Sequence, residues 1–328
     1  MKMQKIAPIG YGLLLLALLA APFVGAYPIF VMKLLCFALF AVAFNLLLGY
    51  TGLLSFGHAA FLGGAAYVCG HVVKEWSATP EIGLLAGTAS GALLGLVMGW
   101  FTIRRQGIYA TMITLALAQM LFFACLQAPF TGGEDGLQGV PRGKLFGLLD
   151  LSNDMVMYYV TVAIVVAGFL LIVRTIHSPF GQVLKGIKEN EARATSLGYD
   201  TNRFKLLAFV LSAAIAGLAG ALKTLVLGFA TLSDVHWSMS GHVVLMTLVG
   251  GMGTLSGPLV GAAVVVALEN KIGDLGAWLA RTTGMEWFSS LGESVTIVTG
   301  LIFIVCVLAF RRGIMGELIA WLQGRGKS

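Results

Sequence analysis

Long apolar runs, separated by short polar or glycine-rich stretches, dominate this chain. They fall at residues 6–26, 29–48, 59–73, 82–103, 108–128, 156–173, 206–228 and 295–310. Most reach the ~20 residues that a helix rising ~1.5 Å per residue needs to cross a bilayer. The run at 59–73 is short. The pattern predicts an all-α polytopic membrane protein, with residues 1–328 forming a single transmembrane domain of about eight full spans. Lys2 and Lys5 give the first run the flank of a secretory signal peptide. A second run starts almost at once, so the first is expected to be kept as a span.

Glycine interrupts this pattern in three places: 49–58 (GYTGLLSFGH), 131–141 (TGGEDGLQGVP) and 250–258 (GGMGTLSGP). The apolar region 241–270 is too short for two crossings of ~20 residues each. A re-entrant pair of short helices is therefore expected there, broken at 250–258, with one long kinked span as the alternative. Non-helical backbone at membrane depth must be buried in protein or line a wet cavity, because lipid cannot satisfy its free N–H and C=O groups. Broken helices are a recurring way to hold a small polar solute near the midplane. The wall of a path is accordingly expected at Gly52, Ser55, Gly57, His58, Gly132, Gly133, Gly250, Gly251, Gly253 and Ser256. Tight packing without solute contact competes at each position, and for His58 a helix-start or packing role outweighs a functional one.

The polar segment 178–203 has a different character. Ser178 and Pro179 suit a helix start, Gly198 can close the helix in a left-handed conformation, and Val183, Leu184, Ile187, Ala194 and Leu197 recur at helical intervals. A short amphipathic helix outside the bilayer is expected. Joining two spans needs fewer residues, so this helix is expected to bind another protein. Elsewhere Gly83, Gly87, Gly91, Gly95 and Gly99 form a small-residue stripe that lets another helix backbone approach closely. A faint internal echo at a shift of 122 residues matches Leu85, Ala86, Ser90, Ala92, Gly95 and Leu96 to Leu207, Ala208, Ser212, Ala214, Gly217 and Leu218.

Charged residues make up only 11% of the chain, against about 25% in soluble domains. With the amino terminus taken as cytoplasmic, one side holds 14 of the 21 basic residues, and among acids only Glu189, Glu191, Asp200 and Glu317; the other holds 11 of the 15 acids. The basic side is expected to be the cytoplasm, with both termini there. Lys33 and Lys223, near span ends, are expected to snorkel. The net charge of +6 then reflects topology, and no nucleic-acid partner is expected. Cys36, Cys69, Cys125 and Cys306 all fall in apolar runs and form no CxxC pair, as packing residues would.

No metal-ligand cluster, P-loop or cofactor fingerprint occurs, so the chain is expected to be no enzyme, with no metal, no catalytic residue and no means of its own to hydrolyse ATP. His58 with Ser55 and Ser256 could suggest a serine hydrolase. The sequence GTLSG is not a G-x-S-x-G elbow, however, and no carboxylate lies near enough in sequence to orient a base. An ion-coupled carrier would keep a carboxylate or histidine relay inside the membrane, and no span centre carries Asp or Glu.

The run GQVLKGIKENEARATSLGYDTNRFKLLAFVLSAAIAGLAGAL, with GYTGLLSFGHAAFLGGAAY before it and LVGGMGTLSGPLVGAA and FRRGIMG after it, resembles the branched-chain amino-acid ABC transporter permeases of the LivM type. The resemblance covers about residues 45–316. It implies the type II ABC importer permease fold, with a re-entrant helix pair beside the full spans, in a bacterial inner membrane. It also implies a second homologous permease subunit, two ATP-binding subunits that hold ATP and Mg, and an external solute-binding protein. Segment 178–203 would then be the cytoplasmic coupling segment, docking through Glu189, Asn190, Glu191, Arg193, Ser196, Leu197 and Gly198. The E-A-A-x3-G coupling pattern of importer permeases is matched imperfectly: Arg193 replaces the second alanine and Gly198 lies one residue farther on. Branched-chain amino acids are the implied substrate, with urea or short amides as alternatives within the family.

Overall fold

The computed structural model describes residues 16–25, 27–105 and 107–283, together with Gly12, Gly300, Leu301, Ile304 and residues 313–317. The expected span at 295–310, the start of the first run, Cys306 and both termini lie outside the described residues, apart from those few positions.

Among the described residues the helices are α1 (Pro28–Asn45), α2 (His58–Lys74), α3 (Pro80–Thr102), α4 (Ile108–Gln127), α5 (Asp154–His177), α6 (Pro179–Glu189), α7 (Glu191–Ser196), α8 (Thr201–Leu227), α9 (Trp237–Gly250) and α10 (Gly257–Thr283). A π-helical turn, Leu46–Thr51, prolongs α1. Local chemistry sets many of the starts. Proline stands in the first turn of α1, α3 and α6, where its missing N–H costs nothing. Asn153, Asn190 and Asp200 cap α5, α7 and α8 by accepting from Met155, Arg193 and Arg203 N–H groups.

Among the described residues five helices are long and apolar enough to cross a membrane: Pro28–Thr51, Pro80–Thr102, Ile108–Gln127, Asp154–His177 and Thr201–Leu227. The architecture is therefore polytopic and helical, as expected. Helix α2 has 17 residues, a little short of a full crossing. Of the α1 span, 78% is buried inside the chain, against 22% of α4, which places α1 at the centre and α4 at the rim. Helix α8 packs on α1, α2 and α3.

The glycine stripe of α3 meets α8 and α2 of the same chain. A Cβ on Gly91 would stand 2.8 Å from the Ala213 carbonyl oxygen and 2.9 Å from the Gly217 Cα, so the two backbones touch where only glycine fits. Gly87 and Gly95 abut Ala221 and Ala213, and Gly83 lies against Val73 and Cys69 of α2. The two helices that carry the internal echo thus cross directly. Cys36, Cys69 and Cys125 are buried and unbridged, as packing residues are.

The elements sort to two ends. At the basic end, the Lys188 ammonium donates to the Gly49 carbonyl, the Phe56 N–H donates to the Thr114 hydroxyl, and Arg104 lies over Trp100. At the acidic end, β1 (Leu137–Gln138) pairs antiparallel with β4 (Phe229–Ala230), while β2 (Lys144–Leu145) pairs with β3 (Leu149–Asp150). Lys74 donates to the Gln138 carbonyl and Arg142 to that of Val226, tying these loops to α2 and α8.

Three local expectations are revised. The segment after Ser178 forms two helices, because the Asn190 side chain caps a new one. The partner of the 14-residue α9 is long, for α10 has 27 residues and runs on to Thr283. Lys223 does not snorkel; it is buried and pairs with the equally buried Asp234.

Candidate functional site

Two of the three glycine breaks meet in the folded chain. The first begins after Asn45 with the π-helical turn, reverses at Gly52 (φ 77°) and runs without regular structure until His58 starts α2. The second joins α9 to α10 through Gly251 (φ 121°) and Gly253 (φ 79°), conformations that L side chains rarely adopt. Asn45 bridges them. Its Oδ1 accepts from Gly253 N–H at 2.9 Å, and its Nδ2 donates to the Thr254 carbonyl at 2.9 Å. A Cβ on Gly49 would lie 2.8 Å from Gly253 N, so the breaks are in backbone contact. Thr254 Oγ1 donates to Gly251 O at 2.8 Å and accepts from Gly257 N–H at 3.0 Å, closing the turn. Gly250 sits so close to Gly257, and Gly261 to the Met246 carbonyl, that α9 and α10 form one glycine-packed hairpin. Ser256 stands half-buried at the start of α10. Gly313, from the FRRGIMG motif, lies against Gly251.

The other expected path residues divide. Ser55 is fully buried and its hydroxyl accepts from Gly57 N–H at 3.1 Å, while Gly57 packs against Met98 and Thr114. Gly132 (φ 76°) and Gly133 lie in tight turns at the acidic end, remote from the paired breaks. His58 is buried at the start of α2, edge-on to Phe44 and Phe61 with ring centroids 4.8 and 5.3 Å away. Its Nε2 is 2.9 Å from the Ser212 hydroxyl, which itself donates to the Ala43 carbonyl at 2.6 Å. One hydroxyl carries one proton, so Nε2 is the donor and Nδ1 is left as an unpartnered acceptor. The pair joins α2 to α8, and among the described residues no carboxylate meets it.

The α6–α7 pair covers the first break from the basic end. Ser178 caps α6 through the Gly181 N–H, and Gly198 (φ 90°) closes α7, as expected. Gly181, Leu184, Ile187 and Ala194 face inward and are buried. Lys188 Nζ reaches the Gly49 carbonyl at 2.6 Å, and its stem covers Gly52. Glu191 turns inward too, paired with the buried Lys205 and accepting from Thr201 Oγ1 at 3.2 Å. Glu189, Asn190, Arg193, Ser196 and Gly198 are exposed. Leu197, expected in the helically spaced apolar series and among the docking residues, is 70% exposed, and Tyr199 is 43% exposed. That leaves an exposed apolar residue among exposed polar ones on the outer face of α7.

A feature absent from the sequence reading is a cavity of about 400 Å³ at the acidic end, between α1, α8, α9 and α10. Lys33, Lys223, Asp234, His242 and Glu269 line it beside Phe37, Met239 and Met246. Its only signal in the sequence was lysine at two places inside apolar runs.

The model of the family described as branched-chain amino acid transport system, permease component, matches residues 28–310. The permease protein LivM of the high-affinity branched-chain amino acid transport system of Escherichia coli K12 is 27% identical over 266 residues, covering 73% of this chain and 61% of that protein. LivM of Salmonella typhimurium is 27% identical over 292 residues, covering 80% of this chain and 67% of its own length. The permease LsrC of the autoinducer 2 import system of Klebsiella pneumoniae is 30% identical over 202 residues, 58% of this chain and 53% of that one. No solved structure matches.

Proposed function

The chain belongs to the family of branched-chain amino acid transport permease components, and from that premise we propose that it is a membrane-embedded subunit of an ATP-driven importer, moving leucine, isoleucine and valine across the bacterial inner membrane. In this reading the basic end faces the cytoplasm and holds both termini. The exposed face of α6–α7 docks on one of two ATP-binding subunits, which bind ATP and Mg. A homologous permease completes the membrane dimer, and an external solute-binding protein delivers substrate at the acidic end.

The observation that supports this best is the Lys188–Gly49 hydrogen bond at 2.6 Å. It joins the helix pair carrying the docking surface to the backbone break that Asn45 ties to the α9–α10 turn. A tilt of α6 imposed by an ATPase would act directly on both breaks, as rigid-body switching requires. The test is reconstitution of the chain with its companion permease, ATPase and binding-protein subunits in vesicles. Leucine uptake that requires ATP and all four components is the expected result. Uptake of urea in place of leucine would move the substrate class, and ion-driven uptake by the chain alone would make it a secondary carrier.

A further inference from the structure

Neither the docking surface nor the paired breaks uses the cavity at the acidic end. Its charged residues come from several elements. On the α1 side, Lys33 is half-buried and meets no carboxylate among the described residues. Lys223 beside it pairs with Asp234 Oδ1 and lies over the Phe37 ring, 5.6 Å from its centroid. Asp234 is spent: its Oδ2 accepts from the Thr231 N–H at 3.3 Å and from the Thr231 hydroxyl at 3.1 Å. On the α10 side, Glu269 faces His242 at 3.7 Å. With the Lys223–Asp234 pair closed on itself, the described lining leaves Lys33 without a carboxylate and Glu269 with only His242 at 3.7 Å, beside an apolar floor of Phe37, Met239 and Met246.

We propose that this cavity binds an α-amino acid with an apolar side chain as its zwitterion, the carboxylate toward Lys33 and the ammonium toward Glu269. This rests on the importer reading and specifies its substrate site. Opposite charges on two different helices that do not pair with each other suit a zwitterion, while a sugar or urea would leave both unpaired, and leaving such groups unpaired is the stronger form of selectivity. Methionine side chains repack around branched aliphatic groups of different shape. The volume lies at the lower end of the roughly 300–1,000 Å³ usual for small-molecule sites, as an amino acid with a few waters needs.

The place in the fold agrees. Lys33, Phe37, Ala41 and Asn45 stand four residues apart on one face of α1. The Thr247 hydroxyl of α9 reaches the Ala41 carbonyl at 3.5 Å, and Asn45 holds the α9–α10 turn. Lys33 and Asn45 are separated by roughly 18 Å along the helix. The cavity is thus the outer mouth of a seam whose inner end is the paired break.

The test uses the assembled complex in nanodiscs, with leucine, leucinamide (no carboxylate) and 4-methylpentanoate (no ammonium) as probes of ATPase stimulation without the binding protein. Lys33→Met should raise the half-stimulating leucine concentration roughly 10- to 100-fold, the loss of one charge-assisted contact. The same change should leave the weaker leucinamide response unaltered. Glu269→Gln should weaken leucine but not 4-methylpentanoate, and Lys33→Arg should restore the leucine response. A merely structural role would weaken all three probes together and would overturn the proposal. So would unchanged leucine stimulation in both variants, or loss of co-purified phosphatidylethanolamine in their place, which would make a lipid headgroup the occupant. Absence of leucine uptake by the unaltered complex is a separate outcome, since it would remove the importer reading itself.

Discussion

Asn45 and Gly253 lie 208 positions apart, yet the side chain of one accepts the backbone N–H of the other at 2.9 Å. The same amide donates to the Thr254 carbonyl at 2.9 Å, so one residue satisfies two backbone groups of a turn that lacks helical partners. Replacing Asn45 with leucine keeps the volume but orphans both groups. At about 1–3 kcal/mol for each, the folded chain should lose about 2–6 kcal/mol. Denaturant unfolding in detergent reads this directly, and unchanged stability would mean that the contact is dispensable.

The proposed docking face and the inward face of α6–α7 should separate experimentally. Leu197→Asp alters an exposed side chain and should leave the subunit stably inserted while substrate-stimulated ATP hydrolysis and uptake fall together. Glu191→Gln instead weakens the ion pair to Lys205, whose side chain is 3% exposed. It should cost about 1.5–3 kcal/mol of stability. Equal thermal denaturation of the two variants would argue against this division.

At the α3–α8 crossing, Gly91→Ala should cost about 1–3 kcal/mol through overpacking, and Gly91→Leu should prevent a folded subunit from accumulating. Gly186 in α6 is the control, because nothing lies within 4 Å of a Cβ there. Gly186→Ala should be neutral or stabilising by about 0.5–1 kcal/mol. Yield and melting temperature of the purified chain decide the matter.

Sidedness is open to thiol labelling in a version without native cysteines. Leu148→Cys, 87% exposed at the acidic end, should react with an impermeant reagent in intact cells. Arg105→Cys at the basic end should react only in inverted vesicles. Reversal of the two would invert the topology.

Much of this fold could be read from the chain because membrane spans are long and glycine breaks are abrupt. Residues 49–58 and 250–258 interrupt apolar sequence with residues that permit positive φ, and both proved to be turns. The spacing from Gly83 to Gly99 showed one packing face, though only the coordinates identify α8 as its main neighbour. What stayed hidden depends on distant pairing. Asn45 looks like an isolated polar residue in an apolar run, and nothing local links it to Gly253. Lys223 reads as a span-end cation because its partner Asp234 lies beyond a turn, on the far side of β4. The division at Asn190 was obscured by apolar residues that keep helical spacing across it, even as the side chain caps a new start.

The close crossing of α3 and α8 has a mechanical consequence. Sliding at a contact where Gly91 meets the Gly217 backbone would drive side chains into main chain, so α2, α3 and α8 form a chassis. The α9–α10 hairpin is locked within itself by Gly250, Gly257 and Gly261, and hydrogen bonds tie it to its neighbours: Asn45 and the Ala41 carbonyl on α1, and the Ala59 N–H on α2, which donates to Ser240. Hydrogen bonds can break and re-form at small cost where interlocked backbones cannot. Any movement of the hairpin against the chassis would have to break or carry these bonds, those of Asn45 at its turn among them.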